Sequence, residues 1–162
     1  MGTVREYLRF TPVELRRALD DPTYAGDRLG QISEAWDDEE PEEARCLGVD
    51  KAWSGIDLVL DRAGLSTALV NGVVHLVMSD DYGAPSYLRP DEVATAAERL
   101  AVLPIAELVD GLDPEVVRAE DPYLLAEWSA DDRDYVTYHG ERLQRFFTAA
   151  AEAGDAIIVT FA

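Results

Sequence analysis

Several residue types that build common functional sites are scarce in this sequence of 162 residues. It contains one cysteine, Cys46, so neither a disulfide framework nor a CxxC metal or redox pair can form within it. No apolar run approaches the length of a membrane span. The first ten residues alternate charged with apolar types and lack the continuous apolar stretch of a signal peptide. These absences predict a cytoplasmic protein that does not associate with a membrane.

Histidine is almost as rare, with only His75 and His139 in the chain. Neither lies in an HExxH or HxH pattern, so zinc has no recognisable motif. Ser54 does not lie in the GxSxG turn of a serine hydrolase, and no glycine-rich phosphate-binding loop is present. The sequence therefore predicts no metal and no cofactor, and it favours a non-enzymatic role.

Positive charge is also scarce: the chain has 14 basic residues, of which Lys51 is the only lysine, and 33 acidic residues. The net charge of −19 repels phosphate backbones and anionic lipids, so we expect neither a nucleic acid nor a membrane as a partner. The same field attracts a basic protein surface, and it also keeps a protein soluble. The densest acidic segments are residues 37–43, read as an exposed loop, and residues 120–134. If the charge has a function, we expect it in these two segments.

Local patterns predict both helices and strands. Residues 3–10 alternate as a strand does, Thr11 to Glu14 form a capping box, and Asn71-Gly72 predicts a hairpin within residues 68–78. Three carboxylates that precede a proline are predicted helix caps: Asp21, Asp113 and Asp121. Helices are predicted at 49–63, 90–103 and 132–153, and a buried strand at 156–161. We therefore expect one helix-rich α+β domain over residues 1–162, with a small mixed sheet formed by the N-terminal strand, the middle hairpin and the C-terminal strand.

A few aromatic and titratable residues are candidates for ligand binding. Tyr82 and Tyr87 lie in a loop with glycine and proline, where exposed aromatics can take part in recognition. His139 falls on the apolar stripe of the last predicted helix, where a histidine bonded to a nearby carbonyl is the expected state. Trp53 lies on the apolar face of its helix, whereas Asp57 lies on a polar stripe that we expect to face solvent.

Three segments, taken in order and spacing over essentially the whole chain, resemble the YfbM-like family of small bacterial proteins, a domain of unknown function. They are Asp50-Lys51-Ala52-Trp53-Ser54-Gly55-Ile56, Tyr82-Gly83-Ala84-Pro85-Ser86-Tyr87-Leu88 followed by Pro90, and Leu143 to Phe147 with the closing strand. The resemblance implies an α+β fold and an intracellular protein, and it carries over no catalytic residue. Relatives often have histidine where this chain has Asp57 and arginine where it has Ser86, so a site that used those two side chains would be lost here.

Two kinds of function remain open at this point. The first is a non-enzymatic, acidic interaction protein, such as an inhibitor or immunity-type partner of a basic protein. The alternative is a small-molecule binder or hydrolase with a pocket between the Trp53 helix, the loop from Tyr82 to Tyr87 and the last helix, with His139 and Asp57 in its lining. A third interpretation, acidity as an adaptation to salt or as compositional drift, requires no partner. The composition favours the interaction protein.

Overall fold

The structure, a computed structural model, describes residues 4–35, 37–78, 84–120 and 128–161. Its strands are β1 (Arg5–Phe10), β2 (Cys46–Gly48), β3 (Val74–His75), β4 (Ser86–Leu88) and β5 (Ala156–Phe161). Its helices are α1 (Pro12–Asp20), α2 (Pro22–Glu34), α3 (Trp53–Arg62), α4 (Thr67–Asn71), α5 (Pro90–Ala101), α6 (Ile105–Asp110), α7 (Pro114–Glu120) and α8 (Ala130–Ala153). A 3₁₀ turn, Asp50–Ala52, leads into α3. The prediction of a helix-rich α+β fold is confirmed.

The first helices begin where the local signals predict. The Thr11 hydroxyl accepts from the Glu14 backbone N–H at 3.2 Å, and the Glu14 carboxylate accepts from the Thr11 N–H at 2.9 Å. Asp21 caps α2 by accepting from the Thr23 N–H at 3.1 Å, and Asp113 accepts from the N–H two residues on at 2.9 Å. Each contact satisfies a backbone donor that the first turn of a helix leaves free. Asp121 lies outside the described residues.

The five strands form one sheet in the order β2-β1-β5-β4-β3. All the pairings among the described residues are antiparallel, so the prediction of a mixed sheet is wrong in that respect. Strand β5 lies at the centre, between β1 and β4, and its four buried residues from Ala156 to Val159 explain its continuous apolar sequence.

The predicted hairpin at Asn71-Gly72 is wrong. Asn71 ends helix α4, and Gly72 follows it with a φ of 73°, a left-handed conformation that glycine adopts without strain. A Cβ at Gly72 would lie 2.9 Å from the carbonyl oxygen of Tyr87, so the close approach of β4 also requires glycine. The short strand β3 pairs with β4, with Val74 opposite Tyr87. The sequence pattern assigned Tyr87, and with it β4, to a loop.

The sheet has a helical layer on each face. Alternation along β1 directs Leu8 and Phe10 towards α1 and α2, and Tyr7 towards the larger core under α3, α5 and α8. Helix α8 runs unbroken from Ala130 to Ala153, two residues longer at its start than predicted. The glycine in its middle, Gly140, allows α6 to pack closely, because a Cβ there would lie 3.0 Å from an Ile105 methyl.

Candidate functional site

The side chain of Arg5 is the most buried charged group in the described part of the chain. It is 4% exposed, and its guanidinium lies 5.1 Å from the ring centre of Trp53 and 4.7 Å from that of Phe161. Its two terminal nitrogens donate to the two carboxylate oxygens of Asp57 at 2.8 and 3.1 Å. A bidentate pair held between aromatic rings has the geometry in which arginine binds most strongly.

Polar contacts extend this pair into neighbouring elements. The Asn71 amide donates to Asp57 at 3.4 Å, and the Tyr7 hydroxyl donates to the Asn71 side-chain oxygen at 2.6 Å. Burial raises the pKa of Tyr7 above its usual range, so this hydroxyl keeps its proton and acts as the donor. Burial alone would lower the pKa of Arg5, but the hydrogen bonds to Asp57 hold it above its usual value. The network joins β1, α3 and α4, and the Nε of Arg5 is buried without a hydrogen-bond partner among the described residues.

The structure thus corrects one expectation about the polar stripe of α3. Asp57 does not simply face solvent: its side chain is 25% exposed and it neutralises Arg5. Ser54, on the same stripe, is buried. Trp53 and Asp57, two of the predicted site residues, are therefore brought together by an arginine that sequence reasoning did not single out.

The other predicted site residues lie elsewhere. Tyr87 is 6% exposed and packs in the smaller core, on the sheet face opposite Tyr7 and Val159. Its hydroxyl accepts from the Arg89 guanidinium at 3.4 Å. Tyr82 lies outside the described residues. His139 is on α8, away from the Arg5 network, so the described candidates do not form one common site.

His139 belongs to a second group of side chains, at the surface where α8 meets the 3₁₀ turn. Its ring makes edge contacts with Tyr135 and Tyr138, at centroid distances of 4.7 and 5.1 Å. The Tyr135 hydroxyl donates to Asp50 at 2.6 Å, and burial, reinforced by that bond, raises the pKa of Tyr135. Burial lowers the pKa of His139, so the ring is neutral near pH 7, and its Nδ1 has no partner among the described residues.

The turn that holds Asp50 in this group is strained. Asp50 has a φ of 48°, in the left-handed region that residues other than glycine, asparagine and aspartate seldom adopt. Such a conformation costs about 1 kcal/mol or more and persists only where surrounding contacts impose it. Here the bond from Tyr135 contributes such a contact, so Asp50 is held against α8.

One stripe of α8 connects the two acidic segments of the sequence. Residues at helical spacings of three and four lie on the same face, and Asp131, Asp134, Tyr138, Arg142 and Arg145 have this spacing. Asp131 and Asp134 are exposed near the helix start, and Tyr138 is 55% exposed one turn later. The Arg142 guanidinium lies 5.2 Å from the Tyr138 ring centre.

The arginines of this stripe hold the acidic loop 37–43. Arg142 donates to the Glu39 carbonyl at 3.3 Å, and Arg145 donates to Glu40 at 2.7 Å and also pairs with Glu42. Pro41 in the same loop is buried. Most of the loop is exposed, as predicted, and α8 holds it through these contacts.

We call the surface formed by Asp131, Asp134, Tyr138 and the loop 37–43 the α8 face. Its helical part extends about 10.5 Å from residue 131 to residue 138, at 1.5 Å per residue. It presents carboxylates around an exposed tyrosine, an arrangement suited to cationic groups. The signal that sequence reasoning missed is the spacing of Tyr138 between Asp134 and Arg142, which places it among charged neighbours instead of in the core.

The described residues contain no group of three or more histidine, cysteine or acidic side chains arranged to hold a metal ion. No helix in the described ranges combines the length and apolarity needed to cross a bilayer.

Comparisons with known proteins concern the fold and the family. Residues 1–160 match a family described as a domain of unknown function, DUF1877. No curated protein sequence matches the chain. The crystal structure of YfbM from Escherichia coli, titled a protein of unknown function, superimposes with a TM-score of 0.68 at 14% sequence identity, over 98% of this chain and 99% of that one. At this identity the likeness establishes a shared fold.

Proposed function

The chain belongs to the DUF1877 family of domains of unknown function, and we propose that it is a non-enzymatic, acidic interaction protein whose α8 face binds a basic protein. Because the family has no known function, the proposal is argued from the protein's own surface. The membership confirms the resemblance to the YfbM-like family that its sequence motifs predicted. An inhibitor or immunity-type role fits this proposal, since such proteins act by covering a charged surface of their partner.

The observation that carries the proposal is the position of Tyr138 between the two acidic segments. Binding energy at protein interfaces concentrates in a few residues, and tyrosine is among the most frequent of these. Tyr138 is 55% exposed, with the carboxylate of Asp134 one helical turn before it. A lysine or arginine of the partner can therefore contact the ring and pair with a carboxylate at the same time.

The contacts within the protein support this preference for cations. Arg142 already lies over the Tyr138 ring, and Arg145 already bridges Glu40 and Glu42. The Tyr138 ring and the carboxylates of the loop thus each already accommodate a guanidinium group. The net charge of −19 would accelerate the encounter with a basic partner and make it sensitive to salt.

The test compares three forms of the protein as immobilised bait in native cell extract. They are the wild type, the variant D131N/D134N/Y138A, and the control D20N/D91N/V13A, which loses the same number of charges and one exposed apolar side chain elsewhere. Proteins retained by the wild type at about 50 mM salt are identified and purified, and their dissociation constants for all three forms are measured.

A basic protein should bind the wild type and the control alike, and the α8-face variant at least tenfold more weakly. Its affinity should fall as the salt concentration rises. Equal weakening of the variant and the control would show that net charge, and not the α8 face, is responsible, and equal binding to all three forms would show that the partner does not use the α8 face. Failure to retain any basic protein at low salt would overturn the proposal and favour acidity without a partner.

A further inference from the structure

One edge of the sheet is open. Strand β3 is the last in the order β2-β1-β5-β4-β3, and no strand among the described residues pairs with its outer side. At the other edge of the sheet, by contrast, Leu47 of β2 is buried. In and beside β3, the side chains of Val73, Val74 and Val77 are each more than half exposed. We call residues 73–77 the β3 edge.

The backbone of the β3 edge is positioned to accept a further strand. The Leu76 N–H donates to the Pro85 carbonyl at 2.7 Å, so the backbone of Leu76 is directed towards β4. Successive residues of a strand direct their N–H and C=O groups to opposite sides, and those of His75 therefore point away from β4. A strand that approached the open side of the sheet could pair with them.

The β3 edge lies in the longest uncharged stretch of a strongly charged sequence. Residues 63–79 contain no aspartate, glutamate, lysine or arginine, although these four types make up 29% of the chain. Exposed edge strands are usually protected from association by charged side chains, lysine above all. Such protection is missing from residues 73–77, so their valines and backbone groups are available to another strand.

The same lack of charge indicates a second copy of this chain as the partner. Two copies that each carry a net charge of −19 repel one another over most of their surfaces. The β3 edge is a place where they can meet without bringing carboxylates face to face. A strand that pairs antiparallel with its own copy also presents the same surface from both sides, which is the requirement of a two-fold contact.

We propose that the protein forms a dimer through the β3 edge, with His75 of one copy opposite His75 of the other and Val73 opposite Val77. This register brings the outward backbone groups of the two strands into hydrogen-bonding positions, and it pairs two exposed valines at each end of the contact. The contact is small, so the dimer is weak and depends on concentration. The β3 edge and the α8 face share no residue, and either proposal can fail without the other.

The test is sedimentation equilibrium of the full chain from about 10 µM to about 1 mM protein, a range that covers weak dimers. The wild type should pass from monomer to dimer over this range. V77K should weaken the association at least about tenfold, because it places an ammonium group beside Val73 of the other copy. The control V102K adds the same charge at an exposed position after α5 and should associate as tightly as the wild type.

This comparison separates the contact from the charge. Both lysine variants reduce the net negative charge, so a loss of association in V77K alone cannot come from repulsion between carboxylates. Added salt screens the repulsion between copies and should strengthen the dimer, whereas it should weaken the binding of a basic protein at the α8 face. Equal association of V77K and V102K, or a dimer that salt weakens, would overturn the inference.

A cross-link tests the register. In H75C the two introduced thiols would face each other across the two-fold axis, with Cα atoms about 5.5 Å apart, within the range that a disulfide spans. The native Cys46 is buried. With oxidised glutathione, H75C should therefore form a covalent dimer and the control V102C should not. Equal cross-linking of the two variants would refute the register, and a wild type that stays monomeric at about 1 mM would overturn the dimer and leave the β3 edge to a strand of another protein.

Discussion

Removing the carboxylate of Asp57 should destabilise the protein far more than its position on a helix surface suggests. The variant D57A leaves the guanidinium of Arg5, 4% exposed, without its bidentate partner. Loss of one member of a fully buried ion pair costs about 3–5 kcal/mol. Because the Asp57 side chain is 25% exposed and water can replace part of it, we expect about 2–4 kcal/mol.

The measurement is urea unfolding at pH 7, followed by circular dichroism, with D61A as the matched control. Asp61 lies one turn further along α3 and is exposed, so its removal should change the free energy of unfolding by less than about 0.5 kcal/mol. In thermal unfolding, D57A should lower Tm by roughly 4–16 °C, at about 2–4 °C per kcal/mol for a chain of this size.

A double variant tests the cause. In R5M/D57A the guanidinium is replaced by an apolar chain between Trp53 and Phe161, so no unpaired charge remains buried. This variant should be more stable than D57A alone, since a buried pair can be exchanged for apolar residues at little cost. If D57A and D61A unfold at the same urea concentration, or if R5M/D57A is less stable than D57A, the reasoning is refuted.

Three other changes probe the packing and the titrating groups. Burial lowers the pKa of His139, so the unfolded chain takes up a proton at this residue before the folded chain does, and stability should fall as the pH drops below about 6.5. Urea titrations of H139Q should lack this part of the pH dependence. The control H75Q, at an exposed position, should retain it. Burial works against the charged form of Glu14, but Arg45 and its other hydrogen-bond donors lower its pKa to about 2. E14Q should therefore cost about 1–3 kcal/mol above pH 4.5, and the difference from wild type should vanish as the pH falls towards 2. G55A should destabilise the protein by about 1–3 kcal/mol, because the new methyl would lie 2.7 Å from a methyl of Val136 on α8. Thermal scans of the control G30A, where the space beside the glycine is open, should show no such loss.

The parts of the fold that the sequence predicted depend on neighbouring residues. The capping box at Thr11 and the cap at Asp21 each involve residues within one helical turn. The buried strand at 156–161 was predictable for a similar reason, as a short apolar run has few other stable environments.

The parts that it did not predict depend on contacts between distant residues. Arg5 and Asp57 are 52 positions apart, and periodicity describes only which face of its own helix Asp57 occupies. Gly72 satisfies both a hairpin turn and a helix end, and the approach of β4 decides between them. Strand β2 has only three residues, too few for an alternating pattern to stand out. Of the α8 face, the sequence singled out only the two acidic segments, because the exposure of Tyr138 and the pairing of the acidic loop with α8 follow from tertiary structure.

The pairing of β1 with β5 has a consequence for how the domain is made. Phe10 lies opposite Ala156, so β1 and β5 pair although nearly the whole sequence lies between them. Contacts of such long sequence separation slow folding. During translation the other face of β1, which carries Tyr7, therefore stays uncovered until α8 and β5 have left the ribosome, because Tyr7 packs against Phe147 of α8. An unfinished chain with apolar strand residues exposed is prone to self-association, and the mutual repulsion of its many carboxylates would keep neighbouring nascent chains apart during that wait.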